Sequence, residues 1–302
     1  MEGRTAWKFG VVGFFTRLRG IALSALFLIA TMGSPWWWPS SVPDSIPVNI
    51  KLGAIILLPI FAITVVAGFV YLRKRTIRSL DIKACLHDLA HYLRDHQSKI
   101  YHFGLNRKTA HEESVLESLT EHCDHVCEHI KDYFALMTHD STINAAIRIA
   151  VETSGPDGAP HIAYRTLGRS SGLNRLRADT TEDISADRGI PRYLIEEQDC
   201  KGVLRYNDID EAERLGAFYP TKNDKLYSHE IRTMLIAPIN GWDGKKRSML
   251  GILFVTARND RVFERAQVDS MKFVSDMIAP SFAFTAHHLK SAGLLKEIRR
   301  VQ

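Results

Sequence analysis

Residues 233–256, TMLIAPINGWDGKKRSMLGILFVT, decide the fold. Two apolar runs, Thr233–Pro238 and Met249–Thr256, flank a turn built on Gly241-Trp-Asp-Gly244. Short β-rich runs separated by glycine and aspartate make a hairpin, because those two residues accept the backbone angles that a tight reversal demands. Working outward, Ile143–Glu152 and Ile162–Thr166 read as two more strands around a Gly155-Pro156-Asp157-Gly158 turn, and Gly202–Tyr206 as another. Residues 168–200 are polar and irregular, with a short helical piece at Arg192–Glu197, and residues 210–229 read as a loop with one helical turn. Downstream, a closing helix starts near Glu264 and aligns Val268, Met271, Val274, Met277 and Ile278 on one face. An antiparallel sheet with helices packed on one face is an α+β layer structure.

The hairpin also carries a family resemblance. Met234-Leu-Ile-Ala-Pro-Ile239, the turn, Leu250-Gly-Ile-Leu-Phe-Val255, Phe263 and Asp269 follow one another in the order seen in GAF domains. The resemblance spans residues 112–288, and its specific part is the last stretch of about 60 residues. It implies a regulatory pocket for a small molecule between the sheet and the 168–230 segment. Two ligand classes of the family lack their residues in this chain. Asn259 is followed by Asp260 and no Asp-Glu pair follows Phe263, which breaks the cyclic-nucleotide motif. Cys200 is followed by Lys201 rather than histidine, which does not suit a bilin. The cofactor is therefore left unnamed. Arg165, Tyr206, Asp208, Tyr227, His229 and Arg232 are the expected ligand-binding residues, with Arg175 and Arg177 as further candidates. Guanidinium groups around a cavity suit a phosphate or carboxylate through paired hydrogen bonds, so an anionic or nucleotide-like ligand is expected.

The N-terminal quarter has a different character. Residues 52–72, LGAIILLPIFAITVVAGFVYL, form an apolar run of the length needed to cross roughly 30 Å of hydrocarbon. A second span is read at residues 21–38, ending in Trp36, Trp37 and Trp38 at an interface. Arg4, Lys8, Arg17 and Arg19 precede the pair, Arg73, Lys74, Arg75 and Arg78 follow it, and the connecting loop carries only Lys51. That asymmetry predicts an inner-membrane hairpin with both termini and the folded domain cytoplasmic. It also explains the net charge of +5: residues 1–78 hold nine Lys and Arg against two acids, whereas the remainder holds 30 against 32. The basicity belongs to the membrane segment, and a nucleic-acid partner is not expected. The expected organisation is a basic N-terminus (1–20), two transmembrane helices (21–72), a helical connector (79–137), the GAF-like domain (138–290) and a basic tail (291–302).

In the connector, Ile82, Leu86, Leu89, Leu93, Ile100 and Phe103 fall at alternating steps of four and three, with His96 in the remaining slot. Leu116, Leu119, Cys123, Val126, Ile130, Tyr133 and Met137 repeat the pattern. Two narrow seams suit an antiparallel hairpin or a dimeric bundle, so a homodimer is expected. Eight of the 13 histidines lie here, among them His87 and His91, and His125 and His129, each pair four residues apart. Such pairs can chelate a metal, but no acid–histidine signature accompanies them and no metal site is expected. Cys85, Cys123, Cys127 and Cys200 form no CxxC pair and read as small buried side chains.

No GxGxxG, GxxxxGK[ST] or GxSxG motif occurs, so no catalytic activity is expected. Two function classes remain. In one, the chain is a membrane-anchored sensor acting on a partner protein. In the other, the membrane hairpin is itself the output and permeabilises the bilayer when the domain binds its signal.

Overall fold

The computed structural model describes residues 48–105, 112–154, 159–172, 182–216, 218, 220–227, 231–242 and 247–291. The first expected span, residues 39–47 of the external loop, the Gly155–Gly158 turn, Arg175, Arg177, His229 and residues 292–302 of the basic tail lie outside the described residues. The chain divides into two compact units, Met1–Ser79 and Leu80–Gln302.

In the first unit, the second apolar run lies on a helix, α1, which spans Val48–Leu105. Where its side chains are described, large apolar groups face outward: Ile63 is 68% exposed and Leu72 59%. Among the described residues no helix is long and apolar enough to cross a membrane, and the expected transmembrane hairpin is not found.

The second unit is built on six antiparallel strands: β1 Asn144–Ser154, β2 Pro160–Arg169, β3 Ile184–Ser185, β4 Leu204–Tyr206, β5 Thr233–Trp242 and β6 Arg247–Ala257. Their order across the sheet is β3-β2-β1-β6-β5-β4. The deciding hairpin is β5–β6, which runs longer than its apolar cores and pairs Thr233 with Ala257 through to Trp242 with Arg247. Pro238 is tolerated because β4 pairs only with Met234–Ile236, leaving an edge beyond. The two shortest strands, β3 and β4, form the outer edges and leave little open ladder for another chain to join.

Strand alternation sorts side chains onto two faces. Ala145, Ile147, Leu235, Ala237, Leu253 and Val255 join one cluster with helices α2 (Glu112–Thr138) and α6 (Arg265–Ser291). From α6, Met271, Val274 and Ile278 are fully buried there, the face expected from the sequence. Tyr164, Met234, Ile236, Ile252 and Phe254 belong to a second cluster. It includes residues of α3 (Gly189–Arg192), a π turn at Tyr193–Glu197 and α4 (Ile209–Arg214), and α5 (Lys222–Leu226) follows in the chain. The segment expected as a loop with one helical turn thus carries two short helices.

Alternation slips once in β2. Ile147 pairs with Gly168 but Arg148 pairs with Thr166, so Leu167 is the extra residue of a bulge. The consequence is visible on both faces. Leu167 packs in the helical cluster, and neighbouring Gly168 also turns to α2. A Cβ at Gly168 would stand 2.5 Å from the carbonyl carbon and 2.7 Å from the oxygen of Cys123, so only glycine lets the helix backbone sit on this strand. Beyond the bulge, Arg169 turns to the opposite face. Its backbone N–H donates to Asp124 of α2 at 2.7 Å, and Glu128 accepts from the Ser171 N–H.

The connector seams are consumed inside the chain. Leu89 and Leu93 of α1 are 1% and 5% exposed and share the core with Leu119, Cys123, Val126 and Ile130 of α2. Of the two arrangements that the seams suit, the structure shows the two helices packed on each other within one chain, where the deepest residues of the Leu86–Leu93 seam cover the domain's own helical layer. A narrow seam does not say which apolar surface meets it, and here that surface is in the same chain.

Candidate functional site

On the face of the sheet opposite α2 and α6, the described residues between 182 and 231 fold over β1, β2, β5 and β6 and border a half-open cavity of about 1010 Å³. Its floor is Ala146, Arg148, Thr166, Met234, Phe254 and Thr256, the alternate residues that strand geometry turns away from the helices. Tyr206 of β4 and Phe218 wall it, meeting edge to face with ring centroids 5.6 Å apart. Burial raises the Tyr206 hydroxyl pKa, with Tyr193 adding to the effect, so it stays a neutral donor near pH 7.

Arg148 is a half-buried cation of the floor. Its guanidinium donates to the carbonyls of Tyr164 at 3.1 Å and Glu182 at 2.8 Å, and lies 5.9 Å from the Phe254 ring centroid. Those carbonyls tie the covering segment to the sheet. Around the mouth, charges pair locally. Glu182 meets Lys222 at 2.8 Å, and Arg192 meets Glu196 at 2.7 Å. Six carboxylates and five guanidiniums line the whole cavity, so its wall has no strong charge of either sign.

The six residues expected at the site separate. Tyr206 lines the cavity. Arg165 is outside the lining and makes a bidentate pair with Asp183, from Nε at 3.1 Å and Nη2 at 2.7 Å, which fastens the 182–185 segment to β2. Asp208 caps α4, accepting from the Glu211 N–H at 3.0 Å. Arg232 pairs with Asp210 at the start of that helix. Tyr227 is half-buried, away from the lining, and His229 lies outside the described residues. Arg148, Phe218 and Phe254 went unnoticed in the sequence. Arg148 interrupts the apolar strand Ile143–Glu152, and that single charge was the signal available.

Asn259, read above as the remnant of a nucleotide motif, is structural here. Its amide donates to Asp140 at 3.0 Å, and its carbonyl accepts from the Thr233 hydroxyl at 3.1 Å. Among the described residues no group of three or more His, Cys, Asp or Glu side chains is placed to hold a metal. The His87 and His91 rings instead meet each other, Nε2 to Nε2, at 2.8 Å. Cys123 and Cys127 are fully buried and their thiols are pushed up by that burial, which keeps both protonated.

The resemblance read in the hairpin now has its structural setting: Met234–Ile239 and Leu250–Val255 form adjacent strands of the sheet that separates helices from cavity. The domain is GAF-like in fold. No family model matches the chain, and no curated protein matches it. Solved structures similar to it include the GAF domain of an Acinetobacter phosphoenolpyruvate-protein phosphotransferase, at 13% identity and TM-score 0.37, covering 65% of this chain and 93% of that one. A phycoerythrobilin-bound GAF domain from a cyanobacterial phytochrome aligns at 17% identity and TM-score 0.36, over 60% of this chain and 97% of that one. A type II free methionine-R-sulfoxide reductase from Thermoplasma acidophilum aligns at 9% identity and TM-score 0.38, over 56% and 94%.

Proposed function

We propose that this chain is a membrane-anchored regulatory protein whose GAF-like domain senses a small molecule in the cavity and catalyses no reaction itself. The observation that carries the reading is the cavity, of a size that takes a small organic ligand and roofed by its own covering segment. The near balance of carboxylates and guanidiniums on its wall favours a neutral or zwitterionic ligand with a flat apolar part over a polyanion. Phe218, Phe254 and Tyr206 offer that part its contact surface.

No cysteine lines the cavity among the described residues, and Cys200 is buried in the adjoining apolar cluster with its pKa raised by burial. Support for the anchor comes from the outward apolar side chains of α1, including Ile60, Ile63, Val70 and Leu72, followed at once by Arg73, Lys74 and Arg75. On this reading the basic residues and the domain lie on the cytoplasmic side, and a partner protein reads the occupied state.

The test is native mass spectrometry and thermal unfolding of the intact chain in detergent against a small-molecule library. A bound species with a rise in Tm is expected, and filling the cavity with Met234→Trp should abolish that rise without lowering the unliganded Tm by more than a few degrees. A chain that takes up nothing and shifts with nothing would sink the sensor reading. Ion leakage from cells on expression would instead make the N-terminal apolar segment the output.

A further inference from the structure

Where α1 meets α2, His96 and His122 stack face to face, ring centroids 3.4 Å apart and planes within 6°. They are 8% and 1% exposed, and each keeps an Nε2 atom without a hydrogen-bond partner. Nδ1 of His122 lies 3.3 Å from the Tyr92 hydroxyl, and Phe282 of α6 lies 5.8 Å from the same ring. Buried polar nitrogens without partners are uncommon, and a stacked pair of them is stable only while both rings are neutral. A proton arriving on either Nε2 finds no acceptor, and a second would place two cations in contact. The surroundings do not compensate. From α1, Tyr92 and Lys99 act on the pair, and from α2, His125; Tyr92 in turn meets the His125 and His129 rings and lies near Glu121 and Cys123. The nearby acids of α2 are engaged elsewhere, Glu121 with His125 at 3.7 Å and Asp124 with the Arg169 N–H. Among the described residues α6 contributes Phe282.

We propose that the His96–His122 stack is an acid-sensitive latch, holding residues 86–100 of α1 on α2 while both rings are neutral and releasing them on protonation with the sheet still folded. The proposal does not depend on the cavity holding a ligand. Burial, with Lys99 adding to it, lowers the pKa of His96 to about 4, and burial with His96 and His125 lowers that of His122 to about 3. Both lie below the ordinary histidine value of 6.5. Docking is therefore fully stabilised above about pH 6.5 and loses stability as the pH falls from there toward the two lowered values. At pH 5 each ring multiplies the opening constant by roughly 30, and the two together by about 10³.

Amide hydrogen exchange of the intact chain in detergent, corrected for the intrinsic pH dependence of exchange, tests this between pH 7.5 and 5.0. Peptides covering 86–100 and 116–126 should open about 10²–10³-fold more often at pH 5, with a slope approaching two protons per opening, while 233–256 keeps its protection. His96→Gln or His122→Gln should each reduce that slope to one. A flat profile, an increase shared equally by 233–256, or a slope of two surviving in either variant would overturn the latch. Should neither variant fold, imidazole NMR signals of the unmodified chain decide: two rings titrating below pH 5 are expected, and all rings titrating near 6.5 would overturn it.

Discussion

Replacing Gly168 by alanine adds one methyl group, and the structure says where it must go. The new Cβ meets the carbonyl carbon of Cys123 at 2.5 Å and its oxygen at 2.7 Å, against an ordinary contact of 3.4 Å or more. Those are backbone atoms in the middle of α2, so no rotamer change relieves the overlap. Either the helix lifts off β2 by close to an ångström or the bulge at Leu167 rearranges. Overpacking of this kind costs about 1–3 kcal/mol. For a folded unit of this size that lowers Tm by roughly 3–10 °C. The damage should also be local first, because lifting α2 strains the bonds from Asp124 to the Arg169 N–H and from Glu128 to the Ser171 N–H. Thermal unfolding of the intact chain, with hydrogen exchange at residues 120–128 and 165–171, reads both effects. A Gly168→Ala chain within about 0.5 kcal/mol of the original, with unchanged exchange there, would refute the seating of α2 on β2.

Three further outcomes are expected. Leu89→Asp places an unpaired charge at a fully buried site and should cost on the order of 4 kcal/mol or more, seen as a lowered urea midpoint; a stable variant that turns a dimer into a monomer by light scattering would restore the seam as a dimer surface. Arg165→Lys keeps the charge but loses the fork that grips Asp183, and at this partly exposed pair should cost about 0.5–1 kcal/mol with faster exchange at 182–185; an effect of several kcal/mol would mean that the pair does more than fasten that segment. In the native chain an alkylating reagent should modify half-buried Cys85 well before Cys123 and Cys127, which should react only on unfolding; early labelling of Cys123 would contradict the buried α1–α2 contact.

Much of this architecture was legible because strands and amphipathic helices announce themselves by period. The β5–β6 hairpin, the paired strands before it and the face of α6 all follow from apolar spacing alone. The site was legible in position and poorly legible in membership. The family resemblance placed a pocket between the sheet and the 168–230 segment, and the cavity lies beside residues 182–231. Polarity nominated Arg165, Asp208 and Arg232, yet ion pairing and helix capping use those side chains close to home. Arg148 and Phe254 reach the cavity through strand phase, of which the lone charge of Arg148 in an apolar strand was the one local sign, and Phe218 reaches it through the path of an irregular segment that no local pattern records. The same limit hid the fate of the Leu86–Leu93 seam, whose spacing describes an apolar stripe but not its occupant.

The extra residue at Leu167 governs how this domain can change over generations. Up to it, substitutions in β2 alter cavity and core one side chain at a time, and selection can retune one without touching the other. Loss of that single residue would restore simple alternation without exchanging the faces, because Gly168 would still oppose Ile147 and Arg169 would still oppose Ala146. Loss of a residue from the regular part of the strand would exchange them. The cavity lining is thus free to drift through point changes, whereas a change in the length of this strand leaves both surfaces intact only at the bulge.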